Sequence, residues 1–283
     1  MNIREMFHKF GIGIVRHLQP SIPKLSDAKK YGNYGEEVFA KTILDMLPNA
    51  QIKSNVLIST DEGKAEIDCL ILYENKLFAI ELKTWKGTLF EENGNILHEK
   101  IDRWTGETHS KIERSPFKQL NRAIYLLRKQ NPINAWVNPI VFFASFEGDE
   151  ELEVYVSEDK VWFNRVYDLV SYIKDQGKPS NAKYVKSFFS KCIAADQIIS
   201  NSSKRTLNCI IIKDSLDFNN ENNKADSIVS IDISHKWSYD KLSIKYKDGT
   251  SCTVNTENWK IEVDDNGILK KYALSKISRI EIG

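Results

Sequence analysis

Two neighbouring stretches decide the fold: residues 65–73 (AEIDCLILY) and residues 77–85 (LFAIELKTW). Both are rich in Ile, Leu and Phe, and the polar residues between them are typical of a turn. Apolar runs of this density predict strands at the centre of a sheet that is covered on both faces. The sequence therefore predicts a hairpin in the middle of the core.

Three ionisable residues interrupt these apolar strands: Asp68 in the first, and Glu81 and Lys83 in the second. A two-residue turn at Asn75-Lys76 predicts that Asp68 lies directly opposite Lys83. Glu81 is then diagonal to Asp68, and all three side chains share one face. The geometry depends on this register, because a slip of one residue moves Asp68 to the other face.

Carboxylates that lie side by side repel each other, and a divalent cation such as Mg²⁺ relieves the repulsion while retaining some of its waters. Such a metal can polarise a phosphoryl oxygen and activate a bound water, while Lys83 holds that water or stabilises the developing charge. The alternative is a buried ion-pair cluster that only holds the sheet together. Because buried ion pairs contribute little stability for their desolvation, we favour the hydrolytic site.

The spacing of Asp68 and the Glu81-x-Lys83 triplet resembles the active-site signature of the PD-(D/E)XK nuclease superfamily. Flanking motifs narrow the resemblance to the nuclease-related domain (NERD) family over about residues 31–145. These motifs are Gly32-x-x-Gly35-Glu36, Glu66-Ile67-Asp68, residues 81–87 (ELKTWKG) and Gln119. The resemblance implies a restriction-endonuclease-like α/β fold, in which a mixed central sheet is flanked by helices.

The resemblance also implies metal-dependent hydrolysis of phosphodiester bonds, with DNA as the expected nucleic acid. It implies that Asp68, Glu81 and the carbonyl of Leu82 bind Mg²⁺, or Mn²⁺ in its place. Lys83 would act at the attacking water. The expected enzyme is an endodeoxyribonuclease.

A helix predicted over residues 34–47 carries the motif acid Glu36. The apolar residues Phe39, Ile43 and Leu47 fall on one stripe of this helix, and Glu36 lies on the same stripe, so its side chain is expected to point inward. The resemblance implies that Glu36 lies beside the metal ligands or binds a second metal ion. The alternative is a first-turn acid that the helix N-terminus stabilises.

Another helix is predicted to begin with Ser115 as the N-cap and Pro116 at its first position, and to end at Asn131-Pro132. Gln119 flanks its apolar stripe. In the resembled family a glutamine at this place lies near the active site, where its amide could orient a water or contact a phosphate. An ordinary glutamine on a helix surface explains the position equally well.

Residues 86–114, between the hairpin and this helix, are predicted to form a short strand or hairpin and a long loop. His98 and His109 could approach a metal or a phosphate, but neither has a second His or Cys at ligand spacing. Trp85 and Trp104 could stack on bases, although tryptophan more often packs in a core.

The chain has 283 residues, of which 41% are hydrophobic and 28% charged, as in a soluble globular protein long enough for two domains. No apolar run approaches the roughly 20 residues of a transmembrane helix. The N-terminus lacks the pattern of a signal peptide, so we expect a cytoplasmic protein that does not bind membranes. The four cysteines are scattered and are expected to be reduced.

Charge is spread unevenly, although the net charge is only +1. Residues 100–130 contain eight Lys/Arg and three Asp/Glu, and residues 178–213 contain seven Lys/Arg and one Asp. Residues 146–159 contain seven acids and no base. Two basic segments suit a phosphate backbone, although each segment alone could be a solvated helix face.

Three regions are expected along the chain. Residues 1–30 read as an N-terminal helical segment that packs on the core or on a second subunit. Residues 31–200 read as the nuclease-like domain with a helical extension at 160–176 and 180–198. Residues 204–283 consist of short strand patterns separated by turns, so they read as a small all-β domain for specificity, docking or oligomerisation, with a partner that the sequence does not identify.

The interpretation that combines these features is a cytoplasmic, metal-dependent nuclease. An endonuclease that cuts both strands can use two sites, so a homodimer is an expected assembly. The alternative functions are a nuclease-like fold that binds nucleic acid or docks a partner without cutting, and an interaction protein in which the β domain carries the activity. Retention of three ionisable side chains in apolar strands favours the enzyme.

Overall fold

The computed structural model describes residues 38–102, 104–131, 133, 135–144, 152–200, 206–218, 225–265 and 268–283. These residues fall into two compact units that divide between Ala194 and Ala195. The helical segment predicted for residues 1–30 lies outside the described residues. The same is true of Glu36 and of residues 146–151 in the acidic stretch 146–159.

The helices and strands of the described residues follow one another along the chain. They are α1 (38–46), β1 (Gln51–Thr60), β2 (Gly63–Tyr73), β3 (Lys76–Lys83), β4 (Gly87–Glu92), β5 (Asn95–Ile101), β6 (Thr108–Glu113), α2 (Pro116–Gln130), β7 (Val137–Phe143), β8 (Leu152–Tyr155), β9 (Trp162–Phe163), α3 (Val166–Asp175), α4 (Ala182–Lys191), β10 (Ile193–Ala194), β11 (Asp196–Ser200), β12 (Thr206–Ile211), β13 (Ile228–His235), β14 (Asp240–Tyr246), β15 (Ser251–Thr256), β16 (Lys260–Asp265), β17 (Ile268–Ala273) and β18 (Ile277–Glu281). Short 3-10 helices occur at Lys213–Leu216, Ala225–Ser227 and Leu274–Lys276.

The first unit is built on a six-stranded sheet with the strand order β10-β1-β2-β3-β7-β9. The β3–β7 and β7–β9 pairs are parallel and the other pairs are antiparallel, so the sheet is mixed. The predicted strands β2 and β3 are central. Leu70, Ile71 and Leu72 are consecutive and all buried, which requires cover on both faces of the sheet.

Helices supply that cover. α2 and α4 share a buried cluster with Leu77 of β3, whereas α1 and α3 share another with Phe78. Neighbouring strand residues point to opposite faces, so the two helix pairs lie on opposite faces of the sheet. The expected α/β fold, a mixed central sheet flanked by helices, is confirmed. Within the described residues, none of the helices combines the length and apolar character that crossing a bilayer requires.

The ends of α2 are those that the sequence predicts. Ser115 is the N-cap, and its hydroxyl accepts a hydrogen bond from the backbone N–H of Lys118 at 3.4 Å. Pro116 occupies the first turn, where its missing N–H leaves no hydrogen bond unmade. The helix ends at Asn131, whose backbone is extended.

The turn predicted at Asn75-Lys76 is wrong by one position. Tyr73 pairs with Lys76, so the two turn residues are Glu74 and Asn75, and Glu74 has a φ of 53°. This register brings Asp68 level with Glu81 rather than with Lys83. The pairing of β2 with β3 is shifted by two residues from the predicted pairing. Because side chains alternate between faces with a period of two, each side chain stays on its predicted face.

Residues 86–114 are more regular than predicted. They form β4, β5 and β6, which join β8 in a four-stranded sheet with the order β6-β5-β4-β8.

The helix predicted over 180–198 ends at Lys191, and Asp196–Ser200 is a strand in which every second residue is buried. This period of two is the strand signature that the helix prediction overlooked. Likewise, α3 begins only at Val166, after the short strand β9.

The second unit is an eight-stranded sheet with the order β15-β14-β13-β18-β11-β12-β16-β17, and all its strand pairs are antiparallel. One inner cluster, including Ile231, Leu242 and Ile280, forms its core. The expected all-β character of this region is confirmed. The sheet also includes β11 (Asp196–Ser200), which lies before residue 204.

Leu77→Ala should lower the free energy of unfolding of the first unit by about 2–5 kcal/mol, because Leu77 is fully buried and its truncation leaves a cavity. Leu44→Ala is the matched control, since Leu44 is 41% exposed and its loss should change stability by less than about 0.5 kcal/mol. Urea unfolding followed by far-UV circular dichroism measures both. Equal losses would show that β3 is not the centre of the core.

Candidate active site

The candidate site begins where the pairing of β2 and β3 stops. The last backbone pair is Cys69 with Ile80, so Asp68 and Glu81 are the next residues on the two strands. At this point the N–H of Leu82 donates a hydrogen bond to Oδ2 of Asp68 at 2.7 Å. The carboxylate takes the place of a backbone carbonyl, and this bond fixes it between the strands.

A local irregularity in the sheet accompanies Asp68. Side chains two residues apart on a strand normally share a face, yet Ile67 packs in the α2 cluster and Cys69 in the α1 cluster. The neighbouring position on β1 is Asn55, which is buried and has a φ of 51°. The alternation of β2 therefore changes at Asp68, which allows its side chain to reach β3.

The carbonyl of Leu82 faces the same strand edge as Asp68. In an extended strand, the N–H and C=O of one residue point to the same side, and those of the next residue point to the other. The N–H of Leu82 points to β2, while the carbonyl of Lys83 points to β7 and accepts a hydrogen bond from Ala144 at 2.8 Å. Asp68 and the Leu82 carbonyl thus present oxygen atoms at one edge.

Glu81 is buried beside this edge, with 1% of its surface exposed. Its Oε1 accepts a hydrogen bond from Nζ of Lys83 at 2.6 Å. Its Oε2 is buried and has no hydrogen-bond partner among the described residues. A buried carboxylate oxygen without a partner is destabilising, and a bound cation would remove that penalty.

Burial raises the pKa of the Glu81 carboxyl above its ordinary value, because the charged form loses its hydration. The charge and hydrogen bond of Lys83 oppose this shift, and the nearby charge of Glu66 adds to it. The net direction is upward, so Glu81 holds its proton more tightly than an exposed glutamate. Sequence reasoning assigned no role to Glu66; its position two residues before Asp68 was the available signal.

The oxygen atoms of this site suit a hard divalent cation. Two carboxylates and one carbonyl leave several coordination positions for water, which is the pattern that Mg²⁺ prefers. Within the described ranges, no group of three or more His, Cys, Asp or Glu side chains is arranged to hold a metal. A metal at this site would therefore rely on Asp68, Glu81 and the Leu82 carbonyl, with water or substrate completing its shell.

The remaining residues predicted to be catalytic are Gln119 and Glu36. Leu77 and Ala79 pack against α2, so Glu81 and Lys83 also face α2, which carries Gln119. Gln119 is half-buried and makes no side-chain hydrogen bond among the described residues. Glu36 lies outside them. Its predicted helix is present as α1 over 38–46, on the opposite face of the sheet.

The histidines and tryptophans of residues 85–114 differ in burial and in their contacts. His98 is buried, and its Nε2 is 2.6 Å from the carbonyl oxygen of Lys86, to which it donates a hydrogen bond. Trp85 stacks on this ring with centroids 5.5 Å apart. Protein contacts thus occupy the Nε2 atom and one face of the His98 ring. His109 and Trp104 are exposed.

A family model described as Nuclease-related domain (NERD) matches residues 31–144. The match confirms the resemblance seen in the sequence, and it spans all five residues predicted to be catalytic. A search of curated proteins and a search of solved structures each found no match. The match therefore assigns a nuclease-related domain to this region of the chain.

Glu81→Gln should stabilise the metal-free chain at pH 8 and have a smaller effect at pH 4. The raised pKa means that the folded chain binds this proton more tightly than the unfolded chain. The favourable contribution of Glu81 is complete below its unfolded pKa and is lost as pH rises through the folded pKa. Urea unfolding in EDTA tests this, with the exposed Glu74→Gln as control; a gain that is equal at both pH values would contradict the assigned burial.

Proposed function

We propose, from the premise that residues 31–144 match the nuclease-related domain, that this protein is a metal-dependent nuclease that hydrolyses phosphodiester bonds in DNA. The match supports a nuclease-related function. The observation that carries the proposal is the Glu81 carboxylate, which is buried, paired with Lys83 through one oxygen and without a protein partner at the other in the described residues. A site of this kind is suited to a cation.

In this proposal, Asp68, Glu81 and the carbonyl of Leu82 hold Mg²⁺, with Mn²⁺ as a substitute. When bound, the metal would polarise the scissile phosphoryl group and lower the pKa of a bound water. The hydrogen bond from the Leu82 N–H keeps the Asp68 carboxylate oriented. Preorganised ligands of this type avoid reorganisation when the substrate arrives.

Lys83 supplies the positive charge that the reaction needs beside the phosphate. Its side chain is 21% exposed, so its ammonium group can face the substrate while it contacts Glu81. It would donate a hydrogen bond to the attacking water or to a phosphoryl oxygen as negative charge develops. Glu36 is proposed as an acid beside the metal ligands or a ligand of a second metal, and Gln119 as a contact to a water or phosphate.

The setting of this activity is also part of the proposal. We place the nuclease in the cytoplasm, without a membrane partner. Cleavage of both strands of a duplex can be achieved by a homodimer that presents two sites. The second unit would then serve specificity, docking or assembly.

Mg²⁺ should raise the unfolding temperature of the native chain, because a ligand that binds only the folded state stabilises it by about 2.7 kcal/mol at 100 times its Kd. Glu81→Gln should abolish this shift, whereas Glu74→Gln should retain it. Glu74 is a suitable control because it lies in the turn at the other end of the same hairpin and is exposed. An equal shift in both variants would place the metal elsewhere.

Cleavage of supercoiled plasmid DNA in Mg²⁺ should fall by at least about 100-fold in Glu81→Ala and in Lys83→Ala, the range typical of a lost catalytic group. Lys41→Ala, which removes one exposed lysine of α1, should cut at the native rate. Linear duplex, single-stranded DNA and RNA extend the assay to substrate preference. EDTA should stop all cutting.

Absence of cleavage in every metal, with the three proteins folded and binding DNA equally, would contradict the enzymatic proposal. The fold would then be a binding module, and the Glu81–Lys83 pair an element of structure. Cleavage that survives both substitutions would instead exclude this site as its source.

A further inference from the structure

An exposed tryptophan with two cations lies at the start of β7, at the opposite end of the sheet from the candidate site. Trp136 is 42% exposed. The ammonium of Lys178 is 4.0 Å from the centre of its ring, and the guanidinium of Arg128 is 5.3 Å from it. We name Arg128, Trp136 and Lys178 the Trp136 surface. Its two cations come from α2 and from the segment between α3 and α4.

A buried amide holds this surface in place. Asn138 accepts hydrogen bonds from Nε1 of Trp136 at 3.1 Å and from the N–H of Lys178 at 3.0 Å. It donates to the carbonyls of Leu77 at 2.8 Å and of Lys178 at 3.0 Å. All the donors of the amide and two acceptor positions are used. In addition, the N–H of Trp136 donates to the hydroxyl of Ser180 at 3.0 Å.

The two chain segments that contribute cations to this surface contain basic residues and no acidic residues. Residues 114–146 contain five Lys/Arg and no acid, and residues 176–195 contain four Lys and no acid. Arg128 belongs to the first stretch and Lys178 to the second, so the structure brings together the two basic segments that the sequence singles out. Lys129 is excluded from the surface because it pairs with Glu62 at 2.7 Å.

We propose that the Trp136 surface binds the phosphate backbone of the DNA substrate at a distance from the bond that is cut. This inference rests on the proposed function. Cations that are held over an indole ring lose part of their side-chain freedom before they bind a partner. A phosphate backbone carries negative charges at regular intervals along its length, so one duplex can contact both the Trp136 surface and the candidate site. The cations beside the indole oppose its insertion into the hydrocarbon of a membrane.

The strand register gives the spacing of the two sites. Leu77 of β3 pairs with Val137, the residue after Trp136, and Lys83 pairs with Phe143. Six residues of strand span about 20 Å. This length corresponds to about six base pairs at 3.4 Å each. Only a duplex longer than about six base pairs can contact both Lys83 and the Trp136 surface.

The test is the salt dependence of binding to a duplex of about 20 base pairs in EDTA, where no metal-dependent cutting occurs. Each phosphate contact contributes about 0.9 to the slope of log K against log salt concentration. Lys178→Ala should reduce the magnitude of this slope by about one, and addition of Arg128→Ala should reduce it by about two. Lys178→Arg, which keeps the charge, should restore most of the slope.

Lys41→Ala is the matched control, since it removes one exposed lysine from the other face of the sheet and should leave the slope unchanged. Native slope and affinity in Lys178→Ala and in the double variant would overturn the inference and leave the proposed nuclease intact. Failure of the native chain to bind DNA at any salt concentration would contradict the proposed function as well.

Vesicles of phosphatidylcholine and phosphatidylserine distinguish DNA from an anionic lipid. Binding to these vesicles that is lost in Lys178→Ala, together with unchanged DNA binding, would overturn the assignment to DNA. Equal unfolding temperatures of all variants exclude misfolding as the cause of a reduced slope. If the half-buried Arg128 is needed for folding, the exposed Lys178→Glu variant replaces the double variant and should reduce the slope by more than Lys178→Ala.

Discussion

The point at which β2 and β3 separate controls the rest of the candidate site. Up to Cys69 and Ile80 the strands satisfy each other's backbone groups, and beyond that pair the Asp68 carboxylate accepts the N–H of Leu82. A side chain thus completes the ladder that the backbone leaves open. Because the same strand edge carries the Leu82 carbonyl, this hydrogen bond links the positions of two of the proposed oxygen ligands, and the contact with Lys83 holds the third, Glu81.

This arrangement makes the charged form of Glu81 unfavourable for the stability of the fold. Burial makes the charged carboxylate unfavourable, and Lys83 compensates for it through one oxygen only. A well-packed apolar residue would avoid this penalty. Under the proposed function, a bound metal would compensate for this penalty. Sites with this kind of imbalance are where functional residues concentrate.

Local chemical rules made much of the fold predictable. Ser115 and Pro116 specify the start of α2, and continuous apolar runs specify β2 and β3, because capping and burial act over a few residues. The turn at Glu74-Asn75 was missed since Glu74 adopts a left-handed conformation that its residue type does not favour. The face to which Glu81 and Lys83 point was still predictable, because a shift of two residues in the strand pairing leaves each side chain on the same face.

Other features depend on contacts that no local pattern reports. Asp68 reaches β3 because the strand alternation changes at this residue, where β1 carries Asn55 with a positive φ and the β1–β2 register has no pair. The Trp136 surface likewise joins segments that are about 40 residues apart in the chain, linked through Asn138. The sequence identified both basic segments but could not show that they meet at one indole.

The four hydrogen bonds of Asn138 have a consequence for motion. The segment that carries Lys178 is exposed, yet its backbone N–H and C=O are bound to an amide that is itself anchored on the Leu77 carbonyl of a central strand. Opening this segment therefore breaks two hydrogen bonds to a buried side chain of β7. Surface loops usually fluctuate independently of the core. In this protein we expect the segment that carries Lys178 to move with the sheet, because its backbone is tied to β3 and β7 through one side chain.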